Sequence, residues 1–501
     1  MTNLVKQGFS AVKWGAISSV ARFGLQIFAQ AIMARALGPE IYGIFGMGLV
    51  VLTFANFFAE FGFGWSLIFR RDLQPEDIRF AFTCQIVSGG LVACALFAAA
   101  GWIAIYFHEP RVEVVVQWIA GTCFISAATA PSINLLSREM RFRESGLIQV
   151  LSYFIGYVLV GIPLALGHFG VTALIASWVT QSVVRLVGSY WLTRHPIRLL
   201  FSHEDARRFL TSGSTVFFTN ITNWLLNNID RMLVGRLLNA SSMGLYTVGA
   251  NLANTPNGIL LMSIQPAFLA AGAKMGDDTE QLRTTYRKVL SAILVLTIPI
   301  YVMLAAVAHS IVAVLYGARW EGAASVLSIL FLSMPAFIVF GISTPILWNT
   351  NRSSHEALVQ LPILLVAAVS LVLFAHLGTV VVAGITAATL AFRGIAMGLW
   401  ACRAIGLSPY QCAPDLGRGL LLAAVTGGIS FGVQFWLQGQ LPIVTLLVST
   451  LGSALGAICV VLWKPWILGD SGIAVVARML PRSVRRLLGR QADNGLGQNG
   501  A

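Results

Sequence analysis

Fourteen long stretches of this chain are almost free of charged side chains, and they constrain its fold more than any other feature. Each holds about 20 residues, enough for a helix to cross a hydrocarbon core of about 30 Å. The connections are too short for a folded extramembrane domain, and a transmembrane barrel would instead show alternating segments of about 10 residues. The stretches run over residues 12–34, 42–66, 81–107, 114–136, 147–167, 170–193, 213–238, 245–271, 289–308, 323–349, 358–375, 378–402, 417–438 and 441–463.

The composition agrees with a polytopic membrane protein, because 57% of the residues are hydrophobic and only 11% are charged. Soluble domains carry about 25% charged residues, and disordered chains are poor in aromatic and aliphatic side chains. The sequence therefore predicts an all-α polytopic membrane protein with about 14 transmembrane helices.

The first stretch resembles a signal peptide, since it ends in Ala34-Arg35-Ala36. A cleaved signal has an apolar region of about 7–15 residues, whereas this stretch is longer and contains Arg22. We interpret it as a retained transmembrane helix.

The formal net charge of +13 is distributed unevenly along the chain. If both termini lie on one side, that side carries 25 of the 33 Lys and Arg residues, and the opposite side carries four. The positive-inside rule then places both termini in the cytoplasm, so the charge indicates topology rather than a nucleic-acid partner. The other four cations, Arg22, Arg185, Arg231 and Arg393, fall inside predicted helices.

The C-terminal residues 466–501 form a basic tail. Residues 474–489 mix apolar side chains with arginines, which is typical of an amphipathic helix on anionic membrane lipids. An ordinary solvated tail is an equal alternative.

Motifs that would indicate an enzyme or a motor are missing from the sequence. It has no P-loop, so it encodes no recognisable ATP-driven motor. The six cysteines form no C-x-x-C pair, and no His follows at a metal-ligand spacing. We therefore expect no catalytic residue, metal, cofactor or disulfide, and any transport must use a gradient, the membrane potential or a partner.

An internal repeat divides the predicted helices. At a constant offset of 201, Arg35, Leu37 and Gly43 match Arg236, Leu238 and Gly244. This predicts two parallel six-helix lobes, residues 1–200 and 201–410, followed by two additional helices in 411–465 and the tail. Parallel repeats are one arrangement used by secondary transporters, with the substrate between the halves.

Polar side chains form two stripes inside the predicted helices. Residues four apart share one helix face, and the offset of 201 relates the first stripe to the second. The first stripe contains Arg22, Gln26 and Gln30; the second contains Asn220, Asn223, Asn227 and Arg231; Asn56 and Asn257 are a further repeat-related pair. We interpret them as lining a cavity, while hydrogen bonds between helices are the alternative, favoured for any single Asn.

The charged residues inside the helices are mostly cations. Arg22, Arg185, Arg231 and Arg393 outnumber the two acids in the same segments, Glu60 and Asp230. An anionic ligand would compensate them, and guanidinium groups suit phosphate oxygens. Glu60 and Asp230 are candidate coupling carboxylates, with a structural counter-ion as the favoured alternative.

Several motifs resemble a known family. They are Trp14, the run 34–43 (ARALGPEIYG), the run from Gly62 to Leu73, the run 228–236 (NIDRMLVGR) with Gly244-Leu245-Tyr246, and Tyr316-Gly-Ala-Arg-Trp320. Together they resemble the polysaccharide transporter (oligosaccharide flippase) family of the multidrug/oligosaccharidyl-lipid/polysaccharide exporter superfamily, in particular its colanic acid exporter-like branch.

The resemblance implies a V-shaped central cavity and a flippase of the bacterial inner membrane. Such a protein moves undecaprenyl-diphosphate-linked oligosaccharide units across the membrane for exopolysaccharide, capsule or O-antigen synthesis, beside polymerase machinery. Related flippases have cavity arginines, to which Arg22 corresponds; Asn223 stands at the repeat-related position. The alternatives are a drug/cation antiporter of the same superfamily and a membrane polysaccharide polymerase.

Overall fold

The computed structural model describes residues 2–60, 67, 73–201, 214–275, 279–350, 352–469 and 473. Nearly all of these residues are helical, and no strand occurs within these ranges. The helices are α1 (Thr2–Glu60), α2 (Pro75–Phe107), α3 (Arg111–Arg138), α4 (Phe142–Tyr153), α5 (Ile162–Leu166), α6 (Val171–Thr193), α7 (Ser214–Leu237), α8 (Ala240–Met275), α9 (Thr279–Ala306), α10 (Ala308–Leu315), α11 (Glu321–Asn349), α12 (Ser353–Phe374), α13 (Thr379–Ala404), α14 (Ala413–Trp436) and α15 (Pro442–Trp463). A π-helical segment, Phe154–Gly161, joins α4 to α5.

The all-helical membrane fold predicted from the sequence is confirmed. In the described ranges, the fourteen predicted stretches all fall on helices, two of them on α1. Eleven helices are long and apolar enough to cross a membrane, with Ser18–Ala59 counted once. Among the described residues, α7 and α8 are not in this set.

The signature Leu-Gly-Pro-Glu lies at a break in α1. Gly38 has φ +80° and ψ 174°, outside helical geometry, and Pro39 follows it. A positive φ favours glycine, and proline lacks the N–H that a continuous helix needs. The break therefore turns one hydrogen-bonded element into two transmembrane helices.

The signature glutamate stabilises the same corner. Its Oε1 accepts a hydrogen bond of 2.5 Å from Arg111 Nη2 at the start of α3. Both side chains are about half exposed, at 54% and 52%, so the pair contributes at most about 1 kcal/mol. Glu40 positions the corner more than it stabilises the fold.

Two glycines permit α1 and α8 to cross in direct backbone contact. A methyl group on Gly43 would overlap the carbonyl oxygen of Ala240, and one on Gly244 would overlap that of Pro39. The contact is reciprocal, because the offset of 201 relates residue 39 to 240 and residue 43 to 244. Gly43 is thus required because the backbone of α8 approaches it closely, whereas Gly38 is favoured by its positive φ.

The chain divides into two compact units. One consists of Met1–Thr247 with Leu371–Thr379, and the other of Val248–Ser370 with Val380–Ala501. In the first, α2 packs on α3, and α1 packs on α3 and α4. In the second, α9 packs on α11 and α14, and α14 packs on α15. The lobe boundaries and the parallel repeat stay predictions.

The connection between α9 and α11 is itself helical for much of its length. It contains α10 and a 3-10 turn, Ala318–Trp320, which the sequence analysis did not predict. Gly317 has φ +83°, and Trp320 is fully buried. The motif Tyr316-Gly-Ala-Arg-Trp320 is therefore a turn closed by a buried indole.

Gly43→Ala and Gly244→Ala should each lower the thermal unfolding temperature of the purified protein. The new methyl group meets backbone, which cannot rotate away, and overpacking costs about 1–3 kcal/mol. Gly121→Ala in α3 is the matched control, since a methyl group there meets nothing within 4 Å. Unchanged stability of both crossing variants would contradict the contact.

Candidate functional site

The first polar stripe lies on α1 and is open to ligands. Arg22, Gln26 and Gln30 are all partly exposed. In the described part of the chain, none of the three has a hydrogen-bond or ion-pair partner. An anionic ligand would compensate the charge of such a mid-helix cation.

The first part of α1 is held by α4. The Arg143 guanidinium lies 4.8 Å from the centre of the Trp14 ring, and Gly146 contacts the Ser18 side chain. Further along, Gly161 at the end of the π-helical segment contacts Met33. The contacting residues are separated by a nearly constant number of positions, so this part of α1 runs parallel to α4 and the π-helical segment.

The second stripe lies on α7, whose opposite face is packed. Trp224 donates a hydrogen bond of 3.1 Å from Nε1 to Thr53 Oγ1, and its ring lies 4.8 Å from the ring of Phe54. Asn223 and Arg231 are partly exposed and Asn227 is exposed. All three take part in polar contacts within the structure. The side chain of Asn220 lies outside the described residues.

Asp230 is a structural group in the described state. It is 6% exposed, and its Oδ2 accepts a hydrogen bond of 2.5 Å from the Tyr246 hydroxyl. Its Oδ1 accepts one of 2.8 Å from the Arg231 backbone N–H. The observed partner is thus a phenol on α8. The side chain of Glu60, the other candidate carboxylate, lies outside the described residues.

Asn56 and Asn257 have different environments despite their matching positions in the repeat. Asn257 is fully buried; its Oδ1 accepts a hydrogen bond of 2.5 Å from Tyr301, and its Nδ2 lies 2.9 Å from Met334 Sδ. This is the helix-to-helix bonding that the sequence analysis kept as the alternative. Asn56 Oδ1 is buried and, among the described residues, has no hydrogen-bond donor.

The remaining two arginines also differ. Arg185 on α6 is partly exposed and takes part in a contact within the structure. Arg393 on α13 is fully buried, and its guanidinium carbon lies 3.7 Å from the centre of the Phe340 ring. In the described structure, the Arg393 side chain lies in the protein interior against α11.

Sequence reasoning missed other buried acids inside the helices, namely Asp77 of α2, Asp415 of α14 and, as the most relevant of them, Glu356. The sequence places it between two predicted stretches, but α12 begins at Ser353 and buries the side chain to 1% exposure. Trp348 Nε1 donates a hydrogen bond of 2.8 Å to Glu356 Oε2, and Gln360 Nε2 donates one of 2.9 Å to Glu356 Oε1. The count of two acids is therefore too low. The signal that could have found it is Glu and Gln at i and i+4, the spacing of neighbours on a helix.

The comparisons with known proteins fit a multi-pass membrane transporter fold. A solved structure of lipid II flippase MurJ, inward closed conformation, matches with a TM-score of 0.68 at 14% identity, over 92% of this chain and 98% of that one. An inward-facing multidrug resistance MATE transporter of the MOP superfamily matches with a TM-score of 0.56 at 17% identity, over 77% and 98%.

The family follows from the sequence itself. The model of the family described as "Polysaccharide biosynthesis protein" matches residues 32–325, more than half of the chain. The chain belongs to this family, as the resemblance indicated.

Similar curated proteins carry related names. The lipopolysaccharide biosynthesis protein WzxC of Escherichia coli is 24% identical over 66% of this chain and 67% of its own length. The succinoglycan biosynthesis transport protein ExoT of Rhizobium meliloti is 25% identical over 67% and 66%. The teichuronic acid biosynthesis protein TuaB of Bacillus subtilis is 22% identical over 92% and 95%. The chain thus spans about two thirds of the first two relatives and nearly all of the third.

Tyr246→Phe should lower the free energy of unfolding by about 1–3 kcal/mol, because it removes one hydrogen-bond donor from a buried carboxylate. Asp230→Asn in the Tyr246→Phe background should recover part of the loss, since an amide is cheaper to bury than a carboxylate. Thermal unfolding in detergent measures both. Equal stability of Tyr246→Phe and wild type would show that the hydrogen bond contributes nothing.

Proposed function

We propose that this protein is a flippase that moves undecaprenyl-diphosphate-linked oligosaccharide units from the cytoplasmic to the periplasmic leaflet of the bacterial inner membrane. The family, the names of the similar proteins and the flippase-like fold support this function. The units would serve exopolysaccharide, capsule or O-antigen synthesis, next to polysaccharide polymerase machinery. The cationic tail would rest on anionic lipid, with both termini in the cytoplasm.

The observation that carries the proposal is the open stripe on α1. Ionisable groups at membrane depth are costly and usually face a cavity or a partner, and Arg22 has no partner among the described residues. A guanidinium forms paired, charge-assisted hydrogen bonds with phosphate oxygens. Arg22 would therefore bind the diphosphate, and Gln26 and Gln30 would bond to the sugar hydroxyls next to it.

The second stripe on α7 supplies further groups of the same kind. Asn223 and Asn227 would bond to sugar hydroxyls, while Arg231, Arg185 and Arg393 would add positive charge. Because amides and guanidinium groups make many weak, adaptable hydrogen bonds, such a surface suits a large hydrated head group. The prenyl chain would stay in the lipid, where burying apolar surface costs nothing.

The positive charge of the arginines within the helices favours this function over drug/cation antiport. The fold is shared with multidrug transporters, so the fold alone favours neither. Cations inside a membrane protein attract anions and repel cationic drugs. The partly exposed guanidinium of Arg22 on α1 thus favours an anionic, phosphate-bearing lipid.

Transport would proceed by alternating access, in which the site faces one leaflet and then the other. Binding energy must be comparable in both states, because a ligand shifts an equilibrium only by its differential affinity. The arginines would therefore hold the head group loosely, through several exchangeable hydrogen bonds. The driving force would be an ion gradient or the membrane potential.

Arg22→Ala should weaken binding of undecaprenyl diphosphate by about 10- to 100-fold, because hydrogen bonds to charged groups contribute about 1.5–3 kcal/mol. Arg22→Lys should lose less, since it keeps the charge without the bidentate geometry. Binding to the purified protein measures the effect, and polymer export in a deletion strain at matched protein levels gives the cellular counterpart.

Arg319→Ala is the control, as Arg319 is an exposed cation on the turn after α10. If Arg22→Ala and Arg231→Ala bound the lipid and supported export like wild type, the assignment of this site would be wrong.

A further inference from the structure

The residues that follow α6, 194–201, form a non-helical segment that we call the strap. The strap contains two arginines, a histidine, a proline and four large apolar side chains, and it has no acid, Ser, Asn or Gly. Connections between helices run over the protein surface and are usually rich in such polar and turn-forming residues. The composition of the strap is therefore unusual for a connection whose exposed side contacts only water.

One side of the strap is fixed to the first unit by a buried histidine. His195 is 4% exposed, and its Nε2 is in hydrogen-bond contact with Ser132 Oγ of α3 at 3.1 Å. The centre of its ring lies 5.4 Å from that of Phe82 and 5.3 Å from that of Tyr190. Burial lowers the pKa of His195, so the ring is uncharged at neutral pH. The charge of the strap therefore comes from its arginines.

The backbone of the strap is bonded to α2. Arg79 Nε donates a hydrogen bond of 3.1 Å to the carbonyl oxygen of Arg198. The Leu200 N–H donates one of 2.8 Å to Thr83 Oγ1. Together with His195, these bonds order the strap along its length. A partner that binds the outer side of the strap does not have to order it first, which lowers the entropic cost of binding.

The outer side of the strap is apolar and begins where a membrane span ends. Ile197, Leu199 and Phe201, at alternate positions, are 54%, 48% and 74% exposed. The preceding helix, Val171–Thr193, is long and apolar enough to cross a membrane. Its last turns include Trp191, which is 67% exposed, and tryptophan is enriched where membrane and water meet. The exposed apolar side chains of the strap thus continue the apolar surface of α6.

Two cations accompany these apolar side chains. Arg194 and Arg198 are exposed, and neither side chain has a hydrogen-bond or ion-pair partner among the residues that the structure describes. Guanidinium groups suit phosphate oxygens. Apolar side chains next to cations at the end of a membrane span are typical of segments that lie on anionic lipid.

We propose that the strap is an interfacial anchor that binds anionic phospholipid in the leaflet at this end of α6. Ile197, Leu199 and Phe201 enter the boundary between head groups and acyl chains, and Arg194 and Arg198 bind the lipid phosphates. The lipid surface is the partner that fits, because it is continuous with the lipid around α6 and opposite in charge to the arginines. This inference goes beyond the proposed function and does not depend on which substrate the protein moves.

Hydrogen exchange of the strap amides tests this contact in the purified full-length protein, in nanodiscs that hold one copy each. Nanodiscs of phosphatidylcholine are compared with nanodiscs that contain phosphatidylcholine and phosphatidylglycerol in equal amounts. Wild type should exchange more slowly with phosphatidylglycerol, by about fivefold for each arginine, which corresponds to about 1 kcal/mol per cation at an anionic surface. High salt should remove the difference. Equal exchange in the two lipids at low salt would overturn the proposal.

The double variant Arg194→Gln/Arg198→Gln should exchange at the same rate in both lipids. Arg194→Lys/Arg198→Lys should keep most of the wild-type difference, because the attraction depends on charge. Arg319→Gln is the matched control, since Arg319 is an exposed cation on the turn after α10; it should behave as wild type. A wild-type difference that persists in the double Gln variant would contradict binding by these arginines.

Leu199→Ser separates the apolar contact from the charge. It should speed exchange by a similar factor in both lipids, because it removes apolar surface from the boundary; exchange at the wild-type rate would contradict insertion. Inorganic phosphate should not slow the exchange of wild type in phosphatidylcholine nanodiscs, and slowing would show a site for free anions instead of lipid. Slowing that requires two copies per nanodisc would show that a second copy covers the strap, which would also overturn the proposal.

Discussion

Buried polar groups must find partners inside this protein, because hydrocarbon offers none and each unsatisfied group costs several kcal/mol. Asp230 is satisfied by Tyr246, Asn257 by Tyr301, and Glu356 by Trp348 and Gln360. The stripe of Arg22, Gln26 and Gln30 is different, since in the described residues it is polar, partly exposed and unbonded. Polar groups with partners inside the protein are therefore interpreted as structural. A polar stripe that is partly exposed and has no such partner is a candidate ligand site.

The family signature acts on the backbone instead of on the ligand. Gly38 and Pro39 break α1, Glu40 bonds to Arg111, and Gly43 admits the backbone of α8. All of these contacts are made within the protein itself. This explains in physical terms why such a signature identifies a fold and says nothing about the substrate.

Much of the fold could be predicted because hydrophobic length is a local property. The fourteen stretches fall on helices, including the polar α7, whose asparagines interrupt its apolar character without ending the helix. The positive φ of Gly38 was not predicted, nor was α10, because both depend on how neighbouring segments pack.

The candidate site could be predicted less well than the fold. The spacing of Arg22, Gln26 and Gln30 was enough to place them on one face. The same reasoning gave Asn56 and Asn257 one role, and the structure gives them different surroundings. Glu356 was missed because the hydropathy of a stretch does not show that a helix begins one turn earlier. A buried polar group finds its hydrogen-bond partner on another helix in most of these cases. The spacing of residues along one helix carries no information about the side chains of its neighbours.

The most direct test of the central claim is flipping by the purified protein in liposomes. A fluorescent undecaprenyl-diphosphate-linked sugar is placed in both leaflets, and a membrane-impermeant reductant quenches the head groups it can reach. The account predicts that wild-type protein exposes the inner-leaflet fraction to quenching, that Arg22→Ala slows this, and that a labelled phospholipid of the same vesicles stays protected. An inner-leaflet fraction that stays protected with correctly folded wild-type protein in the liposomes would contradict it.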